Sequence, residues 1–113
     1  MAGWYELARG ASGSFSFVLK AGNGEVILRS EQYSSKGAAE NGIASVQENS
    51  GSAERYESKE SSNGKWFFNL KAANSQVIGT SQLYASAQSR DAGIASVKTN
   101  GSSTTVKDLS AAS

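Results

Sequence analysis

Two repeated pairs, Glu6 with Lys20 and Glu57 with Lys71, are the first residues whose types could do chemistry; each pair recurs after 51 positions. Two carboxylates can divide acid and base roles when their surroundings push their pKa values apart. On alternating strands, however, such charges ordinarily face water or pair across strands, and that reading is preferred here. The chain has no histidine and no cysteine, which removes imidazole proton transfer, thiolate nucleophiles and Cys/His zinc sites together. Any base or nucleophile must come from Asp, Glu, Lys, Tyr, Ser or the N-terminus. Asp91 and Asp108 are the only aspartates, and no spacing resembles a calcium loop. The segment Ala21-Gly22-Asn23-Gly24-Glu25 lacks the lysine and hydroxyl that follow a phosphate-binding loop and reads as a turn. The expectation is therefore a protein that is not an enzyme, with no catalytic residue, no metal site and no cofactor.

Binding has better candidates. In Lys65-Trp66-Phe67-Phe68-Asn69-Leu70-Lys71, aromatic and basic residues interleave. Rings on a sheet can stack bases while lysines contact phosphates. Strand alternation places Trp66, Phe68 and Leu70 on the core side and turns Phe67, Asn69 and Lys71 outward. Those three are the binding candidates, and core packing of the cluster is favoured over nucleic-acid contact. Charge does not select a polyanion: 11 Lys and Arg against 10 Asp and Glu give a formal +1, with no basic block. The favoured role is a non-catalytic protein-interaction or structural module, with Trp4, Tyr33 and Tyr84 as possible anchors for a protein partner. The alternative is single-stranded nucleic-acid or small-ligand binding on the exposed sheet face. No apolar stretch approaches the length of a spanning helix, and residues 1–6 lack the pattern of a secretory signal. A cytoplasmic protein without a membrane partner is expected.

An internal repeat organises these residues. Shifted by 51, Phe17–Asn49 aligns on Phe68–Asn100 with 16 identities in 33 positions and no gap. Gly42-Ile43-Ala44-Ser45-Val46 recurs unchanged as Gly93-Ile94-Ala95-Ser96-Val97. A duplication is the simplest explanation.

Each copy reads as strands followed by one helix. Trp4–Leu7 and Tyr56–Lys59 are strand candidates. Phe15, Phe17 and Leu19 alternate with polar or smaller neighbours, as Trp66, Phe68 and Leu70 do, giving half-buried strands. Further strands are expected at Glu25–Arg29 and Gln76–Thr80, after turns at Asn23-Gly24 and Asn74-Ser75. Asn63-Gly64 marks another turn. The period then changes: Ala39, Ile43 and Val46 share one face of a helix over Lys36–Glu48, capped by Ser34 or Ser35. A second helix is expected over Ala87–Thr99, capped by Ser86, with Ile94 and Val97 inward. Gly51 and Gly101 lie where left-handed helix ends would suit them. Gly42 and Gly93 sit mid-helix at a cost of about 1 kcal/mol relative to alanine, which points to a close approach between helix and sheet. Residues 53–60 and 104–109 are strand-like again.

The repeated Lys20-Ala21-x-Asn23-x-x-Val26-Ile27, Ser30, Tyr33 and Gly42-Ile43-x-Ser45-Val46 pattern resembles the YegP-like family of small bacterial proteins. The second copy carries it as Lys71-Ala72-x-Asn74-x-x-Val77-Ile78, Ser81, Tyr84 and Gly93-Ile94-x-Ser96-Val97. The resemblance covers nearly the whole chain. It implies tandem units building one sheet with closing strands exchanged between them, and single-unit relatives that dimerise to do the same. The family is a domain of unknown function, so it supplies no catalytic residue to transfer. The copies differ at Gly24/Ser75, Leu28/Gly79 and Val18/Asn69.

The expected fold is α+β: two tandem β-β-β-α-β units in one continuous, mainly antiparallel sheet with two helices on one face. Residues 1–113 are expected to form a single cooperative domain, with repeats at about 2–52 and 53–109 and a flexible tail at 110–113. A monomer with internal pseudo-dimer symmetry follows, because duplication already supplies the pairing.

Overall fold

The fold was obtained as a computed structural model, which describes residues 3–10 and 13–109; the tail expected at 110–113 lies outside the described residues. Alternation builds the strands of the first unit: β1 (Trp4–Arg9), β2 (Phe15–Lys20) and β3 (Val26–Ser30). The Asn23-Gly24 turn holds Gly24 at φ +87°, and Ser75 takes φ +70° at the same place in the second copy. The shared turn geometry thus outweighs the loss of glycine.

Helix α1 (Lys36–Asn49) follows, its first turn capped by the Ser35 side chain, which accepts from the Ala38 N–H. The second unit repeats the order with β4 (Tyr56–Glu60), β5 (Trp66–Lys71), β6 (Val77–Thr80), α2 (Ala87–Asn100) and β7 (Val106–Asp108). Ser86 caps α2 in the same way as Ser35 caps α1.

The seven strands lie in the order β4-β5-β6-β3-β2-β1-β7. Every pairing is antiparallel except that of β7, which runs parallel to β1. The closing strand of the second unit is therefore exchanged onto the first. Its counterpart, 55–57, runs from the end of a single 3-10 turn at Ala53–Arg55 directly into β4. A segment that continues into β4 cannot also lie beside it. Fusing the units has used up one closing strand.

A pseudo-two-fold axis runs through the molecule, because residues 51 apart meet each other. On the sheet, Arg29 pairs with Thr80 across β3 and β6. Where the helices end, a Cβ on Gly101 would collide with Oγ and Cβ of Ser50. The left-handed helix ends anticipated at Gly51 and Gly101 do not form. Both helices end in right-handed caps, at Ser50 (φ −61°) and Gly101 (φ −65°). Gly101 serves close approach instead of left-handed geometry.

The units close on each other reciprocally. Tyr5 Oη donates to the Gly101 carbonyl at 2.6 Å, and Tyr56 Oη donates to the Ser50 carbonyl at 2.6 Å. Each tyrosine thereby satisfies an orphan carbonyl at the end of the other unit's helix. One core cluster joins Tyr5, Phe17 and Leu28 to Phe68, Leu70 and Val97. The Cα radius of gyration, 13.5 Å, matches the roughly 13 Å of a single compact body of this length.

Glycine size decides packing in two places. Phe17 and Tyr33 stack beneath α1, and a Cβ on Gly42 would come within 2.5 Å of Tyr33 Oη and 2.8 Å of Phe17. The close approach predicted for Gly42 is therefore between helix backbone and aromatic rings. Leu28 fills the space that its counterpart Gly79 vacates, where a Cβ would lie 2.9 Å from Leu28 Cγ. Leucine fits at only one of these two equivalent positions. Gly42→Leu should lower stability by about 1–3 kcal/mol through overpacking. Urea unfolding followed by far-UV circular dichroism measures it, and a midpoint that rises would contradict the packing.

Candidate functional site

Pairing register assigns residues to the sheet face away from the helices. One row crosses all seven strands: Lys107, Glu6, Val18, Arg29, Thr80, Asn69 and Glu57. Trp4 and Lys20 flank it on one side of the dyad, and Lys71, Phe67 and Lys59 on the other. The candidates Phe67, Asn69 and Lys71 thus share the open face, each half-buried.

Their side chains are engaged. Asn69 Oδ1 accepts from Thr80 Oγ1 at 2.8 Å, and its Nδ2 donates to Glu57 Oε1 at 3.3 Å. Lys71 Nζ stands 3.0 Å from Glu57 Oε2. In the first unit, Lys20 Nζ lies 3.0 Å from Glu6 Oε1, and Trp4 Nε1 donates to Glu6 Oε2 at 2.9 Å. The two Glu–Lys sets are equivalent cross-strand pairs. They are separated by five strand spacings, about 24 Å, so the carboxylates cannot act on one substrate atom.

Both carboxyls are held below the usual carboxylate range. The hydrogen bonds from Trp4 and then Lys20 lower Glu6, and those from Lys71 and then Asn69 lower Glu57. The equivalent surroundings move both in the same direction, whereas an acid–base pair needs them moved apart. The phenols of buried Tyr5 and half-buried Tyr56 are pushed upward by desolvation, which keeps both protonated as donors. Among the described residues no group of three or more Asp or Glu side chains could hold a metal ion. No helix among them is long and apolar enough to cross a membrane.

The other anchor candidates diverge. Tyr33 and Tyr84 stack on Phe17 and Phe68 and pack, half-buried, against the edge of the core. Trp4 is on the open face, but Lys107 Nζ covers its ring at 4.5 Å from the centroid. Trp66 is on the core side, where Arg90 of α2 stacks at 5.3 Å. On the helix side a cavity of roughly 270 Å³ opens between α1 and the β5–β6 turn, with Tyr33, Asn41, Gly42 and Val77 in its walls.

Arg29 and the charge of the open face as a whole went unnoticed in the linear sequence. The face carries five cations (Lys20, Arg29, Lys59, Lys71 and Lys107) against two carboxylates (Glu6 and Glu57). The rest of the chain carries six cations against eight carboxylates. The pairing of β3 with β6, which joins Arg29 to Thr80, puts Arg29 on the dyad. The 51-residue shift alone carries no such signal, because it matches every repeat position equally.

These features define a tandem-repeat α+β protein in which two units complete one mixed, mainly antiparallel, open sheet. The chain belongs to the family described as a domain of unknown function (DUF1508), which matches it twice, over residues 11–57 and 61–108. It is 67% identical over 108 residues to the UPF0339 protein YegP of Shigella flexneri, covering 96% of this chain and 98% of that protein. A UPF0339 protein of Shewanella oneidensis is 59% identical over 109 residues, covering 96% and 99%. The solution NMR structure of the Escherichia coli protein of unknown function yegP matches with a TM-score of 0.93 at 65% identity, over 97% of this chain and 95% of that one. The resemblance carried by the repeated Lys-Ala-x-Asn and Gly-Ile-x-Ser-Val motifs is thus a family membership.

A carboxylate with a lowered folded-state pKa adds stability above its unfolded pKa, and that contribution disappears as pH falls through the folded value. Glu6→Gln should therefore lower the melting temperature at neutral pH. The gap to the parent protein should close below the ordinary carboxylate range near pH 4. Thermal unfolding across pH measures this, and a constant gap would contradict the assignment.

Proposed function

We propose that the chain is a non-catalytic interaction module whose open sheet face docks a protein partner with an acidic surface. The observation that carries this reading is charge segregation: the face holds five cations to two carboxylates in a chain of formal charge +1. Complementary potential steers encounter and selects partners. Arg29 stands on the dyad and is exposed. Among the described residues no carboxylate pairs with it. It can therefore accept a partner carboxylate without giving up an internal one, with the bidentate geometry that guanidinium offers.

A protein surface suits the face better than single-stranded nucleic acid. Stacking needs open rings in succession. Here Lys107 occupies one face of the Trp4 ring, and Phe67 lies four strand spacings away, about 19 Å.

Copurification from native extract at low salt, with the parent protein and with Arg29→Glu, tests the proposal. A specific partner should be retained by the parent, lost on Arg29→Glu and released by salt. Failure to retain any specific protein, or equal retention by the variant, would overturn it. Titration with single-stranded RNA at low salt should be flat.

A further inference from the structure

Fusing two units into one chain leaves a strand position open beside β4. On β1 the matching position is filled: Tyr5 N–H donates to the Thr105 carbonyl, and Leu109 N–H donates to the Leu7 carbonyl. Residues 5 and 7 therefore direct their backbone groups outward, toward β7. Fifty-one positions later, Tyr56 and Ser58 direct theirs outward from β4, as does Glu60 by alternation. The Tyr56 N–H is taken by the Ala53 carbonyl. Ser58 and Glu60 are exposed, and β4 ends the sheet.

This edge is complementary to itself. Laid antiparallel against a second copy with Ser58 opposite Ser58, β4 sets Glu57 opposite the second copy's Lys59 and Lys59 opposite its Glu57. Both pairs fall on the open face, where opposite charges directly across strands attract. The outward-directed residues then face one another: Ser58 with Ser58 in a full hydrogen-bonded pair, and Tyr56 with Glu60 of the second copy. There the Tyr56 carbonyl accepts from the Glu60 N–H, while the Tyr56 N–H stays with Ala53. Residues paired across strands share a face, so that Glu60 carboxylate arrives beside Tyr56. There Lys98 Nζ stands 5.8 Å from the ring centroid. A lysine on an edge strand ordinarily repels another edge; Glu57, two residues earlier, reverses that effect in this register.

We propose that β4 is a self-pairing edge through which two copies of this chain join as an isologous dimer, continuing one sheet into the next. The five residues of β4 form a small contact, so the dimer is weak and builds with concentration. It does not rest on the open-face docking, although it engages Glu57 and Lys59 at the margin of that face, and it adds to the pairing that duplication supplies within each chain.

Sedimentation velocity and NMR diffusion from micromolar to millimolar protein test it. The apparent mass should rise toward that of two chains, and the Ser58 and Glu60 amides should gain exchange protection. Lys59→Glu sets like charges opposite each other twice and should weaken the dimer at least about fivefold. Glu57→Lys should do the same, and mixing the two variants should restore association as a heterodimer. Ser58→Pro should abolish the dimer with the fold intact, because the lost N–H faces outward. If Glu57→Lys fails to fold without its Lys71 partner, the Lys59→Glu and Ser58→Pro arms still decide. A monomer throughout, a dimer that survives Ser58→Pro, or protection confined to another edge would overturn the proposal.

Discussion

The structure depends on a reciprocal closure: each unit's first strand finishes the other unit's helix. Tyr5 and Tyr56 donate across the dyad to the carbonyls of Gly101 and Ser50, at the ends of α2 and α1. Behind these bonds the two halves fill one apolar cluster. A unit of about 50 residues is marginal alone because it buries too little surface to offset chain entropy. Joining two gives both units a shared apolar interior. The same closure accounts for the asparagines at the helix ends. Asn49 and Asn100 donate back to Ser45 and Ser96, while their Oδ1 atoms hold Arg55 Nε and the Gly3 N–H.

Symmetry cannot be perfect at such an axis, because equivalent atoms would have to occupy the same space. Leu28 against Gly79 and Ser50 against Gly101 are large–small pairs for that reason. Chain connectivity breaks symmetry on a larger scale. The second unit gives up a closing strand to β1, whereas the first spends its own as the way into β4. The result is a sheet of seven strands with unlike edges: β7 against β1 at one end, a charged and exposed β4 at the other.

The open face follows from the same geometry. Strands far apart in sequence become neighbours in a row, as β3 and β6 do through Arg29 and Thr80, and alternation turns lysines and one arginine outward while most carboxylates remain on helices, turns and edges. A nearly neutral chain thereby acquires a basic surface without a basic sequence block. The Glu–Lys pairs on this face are better understood as cross-strand fasteners than as reactive groups, given their separation and matching surroundings.

The amino-acid sequence alone determined the elements and their order. Alternation, turn residues and serine caps act over a few neighbours, and the repeat showed each pattern twice; strand positions and helix starts were legible for that reason, as were the buried Phe17, Ile43, Phe68 and Val97. It also placed Phe67, Asn69 and Lys71 on one face, since alternation is local. Only the tertiary structure decided which strands touch, that 53–55 forms a turn instead of a strand, that Gly101 serves close packing, and that Arg29 stands on the axis. Those outcomes depend on contacts between residues far apart in the chain and on two units competing for the same space, and neither is encoded in any local window.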